Sequence, residues 1–145
     1  MVSRHRLFIR RRDKRIEVLL NDVGRNVVRE AVARVVAAEQ DPNHEWRASL
    51  ESPIDPSNDE DDPVAKLSRQ HEVATNAELA LLTVDEQFLN DAEAWAWLTT
   101  LQVALRSTAV SHGLLSDEKL AQGDAEVLTF VRTLQHLLFD LADCL

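Results

Sequence analysis

A chain of 145 residues with a net charge of −9 is most simply one domain, long enough to bury a core without staples. Three glycines, four prolines and 45% apolar residues argue against a turn-rich all-β fold, and the single cysteine, Cys144, excludes an internal disulfide and a cysteine metal cluster. The charge is divided unevenly: residues 1–15 hold seven Arg/Lys and one acid, a balance of +6, whereas the other 130 hold nine bases and 24 acids, a balance of −15.

No apolar run reaches the roughly 18 residues that span a bilayer, so no membrane contact through a spanning segment is expected. The N-terminus is basic, but no apolar stretch follows it, so no secretory leader is expected. Cytoplasmic location is the default for a chain with one cysteine.

In chain order, the apolar run Leu7-Phe8-Ile9 and the run Ile16 to Leu20 flank Arg10–Arg15. Two β-favouring runs around a polar connection predict a hairpin within a basic segment, residues 1–20. The alternative is that Ile16–Leu20 opens the first helix. Two strands alone are marginal, so the hairpin must rest on helices. Asn21-Asp22 is a capping signal, and apolar residues then recur at helical spacing through Val27, Val28, Ala31, Val32, Val35 and Val36. This predicts a helix over 21–39, held by packing because β-branched residues favour helix weakly. Asp41-Pro42 ends it.

Residues 40–62 read as an acidic irregular loop with Pro42, Pro53 and Pro56. Residues 51–61 are expected to be poorly ordered or a flexible cover, and Trp46 is expected to pin the earlier part to the core through a short helical turn. Asp62-Pro63 opens a helix to about Leu82. The link Val84–Leu89 reads as extended or as a turn. The chain's most informative stretch is Asn90–Gly113. Asn90 is its cap, Asp91 and Glu93 suit the positive end of the dipole, and Gly113 closes it. Ala94, Leu98, Leu101, Leu105 and His112 share one face, with Trp95 and Trp97 bracketing it, so this is the expected central helix. Ser116 is a candidate cap for a short turn. A last helix follows Gly123-Asp124, with Val127, Val131, Leu134, Leu138 and Leu141 in a stripe widened by Leu128, Phe130 and Leu137. A stripe that wide touches more than one neighbour or forms a dimer face. The expected class is therefore mainly α: a single domain, 1–145, with about four main helices and a short N-terminal β-hairpin. Helix 21–39 packs with residues 63–145 in its core.

No glycine-rich phosphate loop and no His-Glu-x-x-His motif occur, and Cys144 has no partner set for nucleophilic catalysis. His71, Glu78 and His112 are the one trio with bundle-type metal spacing; the alternative is that they are boundary residues or a satisfied hydrogen bond, since zinc wants three close protein ligands. No catalytic residue, metal ligand or cofactor is assigned. The basic segment is the strongest asymmetry. Arg4, Arg6, Arg10, Arg11, Arg12, Lys14 and Arg15 are candidate phosphate contacts, and Phe8 among them is a candidate to stack on a base. Against a nucleic-acid partner stands the possibility that the acidic loop folds onto this hairpin within one molecule.

Four features together carry a family likeness: Phe8-Ile9-Arg10-Arg11 with Ile16-Glu17-Val18-Leu19-Leu20; an acidic loop ending Asp61-Asp62-Pro63; Ala94-Trp95-Ala96-Trp97-Leu98 with Leu101; and Phe130-Val131, Leu134-Gln135 and Leu137 in the last helix. In these the chain resembles an uncharacterised family of small actinobacterial proteins encoded beside the protease adaptor ClpS. After Leu101 that family tends towards Asn-Asp-Leu-Arg, where this chain has Gln102-Val103-Ala104-Leu105-Arg106. The resemblance carries over no activity and no catalytic residue. It implies a link to regulated proteolysis. Two functions are thus expected from the sequence: a non-enzymatic regulatory or protein-interaction protein, with a protein partner or a second copy of itself, or a polyanion-binding regulator acting through the basic segment.

Overall fold

Asn21 and Asn90 set two helix starts by different means. In the computed structural model, which describes residues 6–47, 63–111 and 125–145, the Asn21 side chain accepts from Gly24 N–H at 2.8 Å and starts helix α1, Asp22–Gln40. The helix α2 spans Pro63–Leu82. Asn90 and Glu93 exchange two bonds of 2.8 Å: each side chain accepts from the other's backbone N–H. This reciprocal capping box starts α3, Asp91–Ser111. The last helix, α4, is Ala125–Cys144. The four helices fall where the apolar spacing placed them. The acidic stretch 51–61, the Ser116 turn, His112 and Gly113 lie outside the described residues.

The predicted hairpin forms from β1, Phe8–Arg10, and β2, Ile16–Val18, with Phe8 opposite Val18. Ile16–Leu20 does not open α1. A third strand, β3 at Phe88–Leu89, pairs antiparallel with β2 and makes the order β1-β2-β3. The architecture is therefore mainly α with a small antiparallel sheet. The link Val84–Leu89, which the sequence reads as extended or as a turn, is extended at Phe88–Leu89; its pairing with β2 was not expected, because two residues are too few for alternation to register.

Phe8, Ile16, Val18 and Leu89 are buried on one face of the sheet. That face meets Trp97, whose ring takes Phe8 edge-on at 6.1 Å between centroids. The Trp97 indole N–H donates to the Thr83 hydroxyl at 2.8 Å, and that hydroxyl donates to Leu79 C=O at 2.9 Å. Arg25 of α1 donates to the carbonyls of Val84 (2.9 Å) and Glu86 (3.0 Å), so α1 holds the turn that leads into β3. Trp46 is 1% exposed and does pin the turn after α1. Arg47 beside it donates to the Ala38 and Glu39 carbonyls, which satisfies acceptors that a helix end leaves open.

The central helix is buried over a wider and differently centred arc than its leucines predict. Ala96, Trp97, Thr100, Ala104, Ser107 and Thr108 are buried together with Ala94, Leu98 and Leu101. Small residues let the neighbouring helices approach closely, so the covered side turns towards Trp97. The consequence is a correction to the expectation that both tryptophans bracket the core: Trp97 is fully buried and Trp95 is 54% exposed. The last helix packs against α3, α1 and β1, so its wide stripe is used by several neighbours.

Among the described residues, two hydroxyls in this interior, Thr100 Oγ1 and Ser107 Oγ, have no hydrogen-bond partner. A buried polar group left unpaired costs roughly 1–3 kcal/mol, and an apolar group of the same shape does not. Thr100→Val and Ser107→Ala should therefore each raise stability by about 1 kcal/mol. Urea unfolding measures this, and a lower midpoint in both variants would mean that the hydroxyls are satisfied in solution.

Candidate functional site

The basic segment was the first candidate, and the structure divides it. Arg4 lies outside the described residues. Arg6 is exposed at the start of β1. Arg10 reaches across to α3, where its guanidinium donates to Asp91 Oδ1 at 2.9 and 3.0 Å. Arg11 pairs with Glu17. Arg15 pairs with Asp13 at 2.7 Å and stacks its guanidinium 4.2 Å from the Phe88 ring centroid. These contacts cover the outer face of the sheet, where Glu17 stands opposite Phe88. Three of the predicted phosphate contacts thus have carboxylate partners in their own chain. Phe8, the expected base-stacking ring, is buried beneath the sheet and faces no ligand. Its burial follows from strand alternation, which places it on the face of Ile16 and Val18.

Arg12 and Lys14 remain at the tip, both exposed. The connection is three residues long, closed by Arg11 N–H to Arg15 C=O at 2.8 Å and by Lys14 N–H to Arg11 C=O at 3.0 Å. Lys14 has φ 71°, a left-handed conformation that such a hairpin requires at its third position and usually fills with glycine. Asp13 Oδ1 accepts from Arg15 N–H at 3.0 Å, so the amide left over by the turn is satisfied locally. The Asp13 carboxyl is held below its ordinary value of 3.8, first by that backbone bond and then by the Arg15 side chain.

The tip sits beside the start of α3. The Arg10 hydrogen bond, and to a lesser degree the charges of Arg10 and Lys14, hold the Asp91 carboxyl below 3.8. One helical turn beyond Asp91 stands Trp95. The other end of this neighbourhood is the C-terminal end of α4. Asp140 Oδ2 accepts from Leu7 N–H at 3.3 Å, and the Cys144 thiol lies by the Arg10 backbone. Burial pushes the thiol above its ordinary 9.0, while Arg6 and Arg10 N–H draw it the other way. A thiol held protonated is a poor nucleophile. Because α4 ends where α3 begins, the two helices run antiparallel along one side of the molecule.

That side is chemically distinct. From Ala94 to Ser111 and from Val127 to Phe139 the sequence contains no Asp or Glu, although the chain holds 25 acids. Trp95 and Gln102 are exposed on the outward face of α3, and Arg132, Gln135 and Phe139 on that of α4. Phe139 is 62% exposed. On these two helices the acids stand only at the ends, Asp91 and Glu93 on α3 and Glu126, Asp140 and Asp143 on α4; others are Asp22 and Glu30 on α1, Glu72 and Glu78 on α2, and Asp85 and Glu86 in the turn. The sequence reading missed this face because it looked for clustered charge rather than for stretches without it.

The metal trio does not assemble from what is described. His71 and Glu78, expected near the apolar face of α2, are both exposed. Among the described side chains of α2, Ala77 and Ala80 are the buried ones, and His71 and Glu78 lie off their side. Among the described residues no group of three or more His, Cys, Asp or Glu stands close enough to hold a metal, and no helix is long and apolar enough to cross a membrane. Compared with protein-family models, curated proteins and solved structures, the chain matches none.

Two outcomes test the tip. Lys14→Gly should raise stability by about 0.5–1 kcal/mol, because a side chain in the left-handed region costs roughly 1–2 kcal/mol and glycine returns part of that as backbone entropy; a lower melting temperature would show that the lysine side chain holds the turn. Asp91 has a depressed carboxyl, so its link to Arg10 contributes above pH 3.8 and is lost as pH falls below that value. Trp95 emission should change over that acid range in the wild type and not in Asp91→Asn. An identical transition in both proteins would assign it to other carboxylates.

Proposed function

We propose that this chain is a non-enzymatic protein-interaction module that docks a protein partner on the outer face of α3 and α4. The observation that carries the reading is the exposed pair Trp95 and Phe139 on two adjacent helices whose middle stretches contain no carboxylate. Exposed aromatics at the edge of helix stretches that carry arginine and no carboxylate have the composition of an interface centre. An indole left half in water gains most by being covered. The resemblance to a family encoded beside ClpS extends the reading to regulated proteolysis, with this chain as an adaptor or a partner of one.

The tryptophans provide the assay. Trp46 and Trp97 are buried and Trp95 is exposed, so acrylamide quenching and the red part of the emission report on Trp95. Titration with ClpS of the same genome should shift that emission to the blue and protect it from quencher. Trp95→Ala and Phe139→Ala should each weaken binding at least about tenfold, with circular dichroism as the folding control. Light scattering on the chain alone gives the oligomer: a dimer at low and high salt in which Trp95 is protected would make the partner a second copy. Binding of ClpS with the same affinity by Trp95→Ala would remove the face from the mechanism. No change on adding ClpS would remove the link to proteolysis.

A further inference from the structure

The hairpin tip and the outward face of the first turns of α3 belong to one surface, and their joint chemistry selects a class of partner. Arg10 bonds Asp91 at the first turn of α3, so the β1–β2 connection is fixed beside the helix that carries Trp95 one turn later. Arg10, Arg11 and Arg15 are neutralised by Asp91, Glu17 and Asp13. Among the described residues Arg12 and Lys14 form no salt bridge, although Lys14 stands near enough to Asp91 for its charge to act on that carboxylate, and both are exposed at the extremity of the hairpin. Lys14 occupies a backbone conformation in which glycine would be favoured.

Resting on the interaction reading above, we propose that the partner presents an acidic amphipathic segment, whose apolar side chains cover Trp95 and whose carboxylates meet Arg12 and Lys14. The charge is complementary at the place where the anchor stands. The absence of Asp and Glu from Ala94–Ser111 and Val127–Phe139 lets such a segment lie along the helices without repulsion. A nucleic acid fits less well. It carries a charge about every 1.7 Å of duplex and needs a track of cations, whereas the described cations along this face are Arg106 and Arg132, and the chain outside residues 1–15 has a balance of −15. A short acidic segment needs positive charge only at the tip, because apolar burial on Trp95 supplies the rest of the affinity.

The experiment uses the full chain and three probes, followed by Trp95 emission. The first is a peptide of about 20 residues with Leu at helical spacing and Glu between. The second replaces every Glu by Gln. The third is an oligothymidylate of similar length. The Glu peptide should bind at least about tenfold more tightly than the Gln peptide at low salt, and the gap should narrow as ionic strength passes about 0.15 M. The double variant Arg12→Gln/Lys14→Gln should bind both peptides equally. Trp95→Phe should weaken both peptides, read by anisotropy of a labelled peptide, with circular dichroism and melting temperature as folding controls. Equal affinity of the two peptides for the wild type would overturn the acidic partner and leave the docking face standing. Tighter binding of the oligothymidylate, lost in the double variant, would overturn it in favour of a phosphate backbone. Failure of both peptides, or binding untouched by Trp95→Phe, would overturn the acidic partner and the docking face together.

Discussion

The Trp97 indole is the constraint on which the rest of the structure depends. It is fully buried and meets three separate parts of the chain. Its ring takes Phe8 of β1 edge-on, its N–H donates to Thr83 at the end of α2, and its own helix is α3. A three-stranded sheet with strands of three, three and two residues has too few pairs to persist alone. It persists here because Phe8, Ile16, Val18 and Leu89 close over the same interior that Trp97 fills. Thr83 does two things at once: it gives the indole its partner, and it returns a bond to Leu79 C=O at the end of α2. An unpaired indole N–H would cost roughly 1–3 kcal/mol, so the end of α2 and the rotation of α3 are specified together.

The rotation explains the exterior. With Ala96, Thr100, Ala104 and Ser107 buried beside Trp97, the residue two before Trp97 must point away from the core, since neighbours at i and i+2 lie about 200° apart on a helix. Trp95 is exposed as a geometric consequence of Trp97 being buried. It is then held in place by the capping box at Asn90 and Glu93 and by the Arg10–Asp91 pair in the first turn. An exposed indole on a helix start fixed by two separate devices is pre-organised for contact, which lowers the ordering entropy of binding.

Much of the fold was legible in the sequence, and the reasons are local. Asn21, Asn90, Pro63 and the Asp41-Pro42 pair act within one turn of their own positions, so helix ends could be placed without tertiary knowledge. The two runs of the hairpin were equally visible. What escaped the sequence depends on partners distant in the chain. The strand β3 exists because β2 offers it an edge. The orientation of α3 is decided by small residues that a hydrophobic stripe undercounts, and that of α2 by Ala77 and Ala80. The basic segment was visible as charge, but which of its cations form salt bridges with the described residues was not. Asp91 is 81 residues from Arg10, and no local pattern connects them.

That division gives the charge asymmetry its structural meaning. Had all the arginines been solvated, the hairpin would be a diffuse positive arm with little geometric selectivity. Instead Arg10 ties it to α3, while Arg11 and Arg15 lie over Glu17 and Phe88 on the sheet. The hairpin is thereby made part of the folded body, and Arg12 and Lys14 are carried at a tip tied to the start of α3. A fixed charge beside a fixed aromatic side chain selects by distance as well as by sign. The acidic remainder of the chain sharpens the choice, since it repels any polyanion long enough to extend beyond the tip and beyond the two helices without carboxylates. On the proposed reading, size, charge and apolar character of a partner segment are screened together by one helix start and one turn.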